Sequence, residues 1–440
     1  MVAFTSILNL LSKYPIRSTV TCSILLSTLW NAYLTRRQYL RYKTVLTPPS
    51  ALTPYIDDET FRKSRFYSAD KMRLAIYSSL INFVFTIITM TTSMFPWTWS
   101  FCENIVSAIP RLPTNEITTS IALVVLSIPI STLLSIPFSI YGTFVIEEKY
   151  GFNKMTPKLF TTDLIKGTVL KLVLAPPLVA LLLFIISHTG SLFYVYASIT
   201  LFLLSLVFSI VIPNFILPLF NKFSPIEDPL LSSEIDRLSR VCDFPIKEVF
   251  SMDASKRSSH SNAFFIGIFA KARKLVLYDT LITKLTVEEV VAVLGHEIGH
   301  KKKRHTTWML VLGQVNIFLM MFLFSRALSL SSQTAVEFGM SAAPIILSLG
   351  LFSSLLAPTD EIISVLVNML MRRFERQADT FAVNISGFEM PLKEALVKLN
   401  LENLSDSDPD WLYQLAHHSH PSLAERIALI DELNAEKKQD

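Results

Sequence analysis

Apolar residues run along this chain in long stretches, not in the short amphipathic repeats of a soluble protein. Seven of them, near 18–34, 74–95, 117–141, 169–188, 191–218, 308–330 and 342–358, approach the roughly 20 residues that a helix needs to cross a bilayer. Several contain proline (Pro129, Pro137, Pro176, Pro177, Pro213 and Pro218), which is tolerated where neighbouring groups re-satisfy the freed backbone. Between the fifth and sixth stretches the pattern changes. Ser232 to Val241 is amphipathic and predicts a short soluble helix, while Val249–Asp253, Lys274–Tyr278 and Asn262–Phe265 read as short strands. The pattern predicts a mainly α, integral membrane protein with seven transmembrane helices and a small β element. Four segments follow: 1–218 with five spans, 219–307, 308–358 with the sixth and seventh spans, and 359–440.

Composition agrees. Only 17% of the 440 residues are charged and 51% are hydrophobic, against about 25% charged in soluble proteins. The net charge of +4 is small and its cations lie mainly in loops, so nucleic acid is not indicated. Cys22, Cys102 and Cys242 form neither a disulfide framework nor a cysteine zinc site. Lys13 and Arg17 precede the first apolar stretch and Arg36, Arg37 and Arg41 follow it with no small-residue cleavage site, which predicts a retained span. Basic loops at 35–73 and 143–168, against a lone Arg111 in 96–116 and no cation in 331–341, orient the spans. The N-terminus is then lumenal, and 219–307 and 359–440 are cytosolic. The sequons at Asn384 and Asn403 would consequently stay unglycosylated.

Chemistry concentrates at Leu294-Gly295-His296-Glu297-Ile298-Gly299-His300. On a helix, His296 and His300 leave one face a turn apart, the separation that two ligands of one tetrahedral zinc require. Glu297 lies beside them, where it can take a proton from water. Thr286-Val287-Glu288-Glu289 supplies a capping box to start that helix. A catalytic zinc takes three protein ligands, and Glu375 is the candidate third, with Asp379 four residues on to orient a ligand histidine. A solvated helix face with arginine partners accounts for the same two acids. His417, His418 and His420 crowd together ahead of Arg426. One of them, helped by Arg426, suits an oxyanion, although a surface histidine cluster reads the same way.

Taken with LGHEIGH, the motifs FERQAD, HPSLAER, SKRSSHSNAFFIG and FVIEEKYGFNK give the chain a resemblance to the type I C-a-a-X prenyl endopeptidases. These are integral-membrane zinc metalloproteases that process farnesylated a-factor and prelamin A. The resemblance implies one Zn2+ per chain on His296, His300 and Glu375, Glu297 as general base, and Asp379 as the acid behind a ligand. It implies that His420 and Arg426 hold substrate and oxyanion, and that Asn262 and Ala263 lie in an edge strand receiving substrate as an added strand. It also implies seven helices around a large water-filled chamber, closed at one end by the zinc domain. Two positions depart from the family pattern: Lys301 replaces a common Trp and opens a Lys301-Lys302-Lys303-Arg304 run, and Ser422 replaces a common Pro. The basic run suits a snorkelling or anionic-lipid contact.

The expected function is therefore zinc-dependent release of the C-terminal tripeptide from farnesylated CAAX proteins, with a second, upstream cut in some substrates. Two other readings are a broader membrane quality-control metalloprotease and a non-catalytic zinc-binding membrane scaffold. The expected partners are farnesylated CAAX peptides and membrane lipids, around a monomer. The ending Lys437-Lys438-Gln439-Asp440 looks like a dilysine retrieval signal for the endoplasmic reticulum membrane, with the inner nuclear membrane a second address implied by the resemblance.

Overall fold

Helix α1 (Ile16–Thr44) begins by donating the backbone N–H groups of Ile16 and Arg17 to Glu337, each at 2.8 Å. A carboxylate from a distant segment thereby satisfies two of the donors that every helix start leaves open. The computed structural model describes residues 14–246, 248–266, 274–385 and 387–438. Next come α2 (Asp58–Thr91), α3 (Met94–Ala108), α4 (Glu116–Tyr141), α5 (Pro157–His188), α6 (Phe193–Val211) and the short α7 (Leu217–Phe220). Both α4 and α6 run on into π-helical turns, Gly142–Glu147 and Ile212–Ile216. Pro129 and Pro137 sit inside α4, and Pro176 and Pro177 inside α5.

The segment between the fifth and sixth apolar stretches builds a four-stranded sheet. Strand β1 (Phe223–Pro225) precedes α8 (Pro229–Val241), and β2 (Glu248–Met252), β3 (Ala263–Ile266) and β4 (Lys274–Tyr278) follow. The order is β1-β2-β4-β3, with β2 parallel to β4 and the outer strands antiparallel. The predicted strands and helix are present to within a few residues. Strand β1 was not foreseen, because three residues ending in proline carry no alternating pattern.

After α9 (Asp279–Lys284), the HExxH segment forms α10 (Val287–Lys302), and α11 (His305–Ala327) leaves it at a sharp turn on Arg304. Helices α12 (Ser331–Phe338), α13 (Ile345–Leu355), α14 (Ala357–Val383), α15 (Glu389–Glu402), α16 (Trp411–His417) and α17 (Leu423–Lys437) complete the chain. One hydrophobic core joins the sheet and α8–α10 to the C-terminal segment: Leu275, Leu277, Val290 and Leu294 pack with Val383, Leu392 and Ile430. The residues flanking the last membrane stretches thus fold together across the intervening spans.

Five stretches are long and apolar enough to cross a bilayer: α2, Glu116–Glu147, α5, Gly190–Phe220 and His305–Phe338. A sixth arises if α13 and α14 count as one span, bent by 58°. The protein is a mainly helical, multi-pass membrane protein. The count falls short of seven for physical reasons. Stretch 18–34 is helical within α1, but its Ser, Thr and Asn residues dilute its apolarity. Stretch 342–358 is cut by the bend at Leu356.

Candidate metal centre

Helix α10 starts as its sequence predicts. The Thr286 side chain accepts from Glu289 N, and Thr286 N donates in return to the Glu289 carboxylate at 2.8 Å. Its histidines meet α14 because of Gly299. A Cβ there would lie 3.1 Å from Ala378 Cα and 3.2 Å from the Ala378 carbonyl oxygen, so any larger residue would make the facing backbone give way by a few tenths of an ångström. That crossing sets His296 and His300 against Glu375.

The three side chains present Nε2, Nε2 and carboxylate oxygens to one another. His296 Nε2 lies 3.1 Å from His300 Nε2 and 3.4 Å from Glu375 Oε2, and His300 Nε2 lies 3.2 Å from Glu375 Oε1. A tetrahedral zinc with ligands about 2.0–2.1 Å away has edges of roughly 3.3 Å, so these spacings suit that ion. Glu375 is almost wholly buried, and its Oε2 makes no well-directed hydrogen bond although His420 Nδ1 is 2.9 Å away. A buried carboxylate oxygen left in that state is itself a mark of a cation site. The donor set fits a metal.

Behind each histidine stands a hydrogen-bonding partner. His296 Nδ1 lies 2.8 Å from Asp379 Oδ1, and Asp379 is held in turn by the fork of Arg426, at 2.8 Å from Nε and 2.6 Å from Nη2. Burial disfavours the charged form of His296, yet the bonds to Asp379 and Glu375 outweigh it and raise its pKa to about 9. The partner of His300 was missed in the sequence. His305 Nδ1 is 3.0 Å from His300 Nδ1, and His305 Nε2 is 2.9 Å from Gln377 Oε1. The amide oxygen can only accept, so the network assigns the proton of His305 to Nε2 and that of His300 to Nδ1. His300 Nε2 is left with its lone pair facing Glu375. Ring stacking on Phe374, 4.1 Å between centroids, keeps His305 in place.

Glu297 is half-buried on the next position of α10 and makes no hydrogen bond among the described residues. Of the histidine cluster, only His420 reaches the centre; His417 and His418 turn toward Tyr413. The loop carrying them is anchored by α14 itself. Arg372 donates to the carbonyls of Gln414 (3.0 Å) and His418 (2.5 Å), and Asn368 to that of Ala416 (2.6 Å). Glu375, Asp379 and the anchor for His420 therefore share one helix. Asn262 is exposed immediately before β3, and Ala263, its first residue, is buried. Strand β3 is an edge of the sheet, bonded on one side to β4.

A cavity of about 1010 Å3 adjoins the centre, running from His420 and Arg426 past Asn400 to Lys71 and His260. At its far end the FVIEEKYGFNK and SKRSSHSNAFFIG segments meet. Tyr67 donates to Glu147 at 2.6 Å, and His260 lies 3.5 Å from Glu147 and 3.2 Å from Asn403.

Residues 38–222 match the family model described as CAAX prenyl protease N-terminal, five membrane helices, and residues 225–434 match peptidase family M48. The chain is 38% identical over 427 residues to the CAAX prenyl protease 1 homolog of Arabidopsis thaliana, covering 97% of this chain and 99% of that one. It is 35% identical to CAAX prenyl protease 1 of Saccharomyces cerevisiae, over 93% of this chain and 94% of the relative. It is also 35% identical to the human homolog, over 91% and 92%. The crystal structure of Ste24p from S. mikatae superposes with a TM-score of 0.90 at 35% identity, covering 95% of this chain and 99% of that one.

Proposed function

The chain belongs to peptidase family M48 and, within it, to the CAAX prenyl proteases, and on that premise we propose that it releases the C-terminal tripeptide from farnesylated CAAX proteins. It is a CAAX-processing metalloprotease. The observation that most supports metal-assisted hydrolysis at this centre is the tetrahedral-edge spacing of His296, His300 and Glu375 beside Glu297, which makes no hydrogen bond among the described residues.

Zinc held by these three residues would supply, when bound, a Lewis acid that makes water ionise near neutral pH. Glu297 takes a proton from the attacking water and returns it to the departing nitrogen. His420 donates to the oxygen on which charge develops, and losing such a donor typically costs about 3–4 kcal/mol of transition-state stabilisation. Arg426 spends its fork on Asp379, so it contributes fixed positive charge and holds the acid that orients His296. Asn262 and Ala263 receive the substrate as a strand added to β3. The cavity beside His420 takes the peptide, and the surrounding helices, seven in the full reading, form a chamber that admits the prenyl chain. The second, upstream cut, the endoplasmic reticulum address and the cytosolic orientation belong to the same proposal. Of the C-terminal signal, Gln439 and Asp440 lie outside the described residues.

The test is tripeptide release from a synthetic farnesylated Cys-a-a-X peptide by detergent-purified protein, with and without a zinc chelator. Chelator-sensitive cleavage that Glu297→Gln abolishes while retaining zinc is expected. Cleavage of unmodified chains with the farnesylated peptide left intact would instead support the quality-control reading. Zinc retained with no peptide cut would support the scaffold.

A further inference from the structure

The basic run between α10 and α11 takes no role in the chemistry above. Lys303 caps α10, Arg304 takes a left-handed backbone with φ of 58°, and α11 then sets off as a membrane-capable helix. On α14 the segment 362–371, apolar but for Ser364 and Asn368, gives way at once to Arg372 and Arg373. The Gly299 crossing brings these two boundaries together. A cavity of about 290 Å3 there gathers Lys303, Arg373 and Arg376 with the polar side chains of Gln377, Thr380 and Asn384. All three cations are exposed. Among the described residues, the carboxylate paired with any of them is that of exposed Glu425, 3.7 Å from Arg376.

We propose that this cavity binds the phosphate headgroup of an anionic phospholipid in the leaflet facing the zinc domain. Three cations converging without a buried counter-charge repel one another, and a phosphate relieves that repulsion through guanidinium forks suited to its oxygens. Thr380 and Asn384 offer neutral donors beside them. A membrane lipid fits better than a free anion because the cavity sits where two helices leave their apolar stretches. The start of α11 also exposes Trp308, Val311 and Val315, an interfacial tryptophan followed by a surface for acyl chains. The bound lipid would pin the α10–α14 crossing to the membrane surface.

Native mass spectrometry of full-length protein in neutral detergent tests this with dioctanoyl phosphatidylinositol 4-phosphate, dioctanoyl phosphatidylcholine and inorganic phosphate as probes. The wild type should retain the anionic lipid and not the zwitterionic one. The K303Q/R373Q/R376Q triple variant should weaken retention by roughly two orders of magnitude, since each cation near an anionic surface contributes about a fivefold factor. R373Q alone, an exposed change that the fold tolerates, should weaken it about fivefold. The proposal is overturned if these variants bind like wild type. It is equally overturned if K154Q/K158Q, in another basic loop, costs as much, or if inorganic phosphate displaces the lipid at comparable concentration.

Discussion

At the scale of single residues, the centre depends on which ring nitrogen carries the proton. Asp379 draws the proton of His296 to Nδ1, and the chain Gln377–His305–His300 does the same for His300. His305→Phe keeps an aromatic ring on Phe374 but ends that chain. Removing such a partner typically lowers metal affinity by about 10–100-fold. Competition with a chromophoric chelator measures this directly, and unchanged affinity would show that His305 only packs. The raised pKa of His296 supplies a second expectation. Below about pH 9 the metal-free imidazole holds an extra proton, which a metal must displace. Apparent zinc affinity should therefore fall as pH falls, by about tenfold per unit for this one group, with proton release visible calorimetrically in buffers of different ionisation enthalpy. The two candidate histidine ligands were legible because an i, i+4 pair is a local pattern. His305 was not, since the turn at Arg304 aims it back at His300 and no spacing rule anticipates that turn.

At the scale of elements, two features of α10 were open to reading in different degrees. Its start was written in Thr286 and Glu289, and both bonds of the capping box form. Thr286→Ala should lower stability by about 1 kcal/mol, the usual cost of a lost N-cap. Its crossing with α14 was not legible, because Gly299 looks like any helical glycine until Ala378 is found against it. Gly299→Ala must push the crossing backbones away from each other and should cost about 1–3 kcal/mol as an overpacked contact. The same displacement moves His300 from Glu375, so this variant should lose zinc retention where Thr286→Ala keeps it. Thermal unfolding of both variants, with zinc content measured on the same samples, separates a stability loss from a displaced ligand. Equal zinc loss in the two would contradict this account of the crossing.

At the scale of the whole molecule, apolar length announced a membrane protein, whereas the joining of its membrane and soluble regions came from polar residues far apart in sequence. Arg65, 1% exposed on α2, donates to Asp406 at 2.9 Å and to Asp408 at 2.8 Å, and Arg41 and Arg37 on α1 pair with Asp408 and Asp410. Gln38 and Tyr42 add hydrogen bonds to Asp406. The acidic loop so gripped leads directly into α16 and on to His420, which ties the position of that side chain to the first two helices. The sequence shows basic helix ends and an acidic loop, but charge alone does not say which partner each side chain finds. Arg65→Met keeps the bulk and removes the charge of a buried residue, leaving half-buried Asp406 without its cation. Breaking a buried pair from one side typically costs about 3–5 kcal/mol. A lowered melting temperature in detergent, with faster proteolysis in the 405–422 segment, is therefore expected. Adding Asp406→Asn to Arg65→Met should recover some of the loss, because the uncompensated charge goes with it. If Arg65→Met melts like wild type and resists protease equally, the clamp is decorative, and His420 must be held by Arg372 and Asn368 alone.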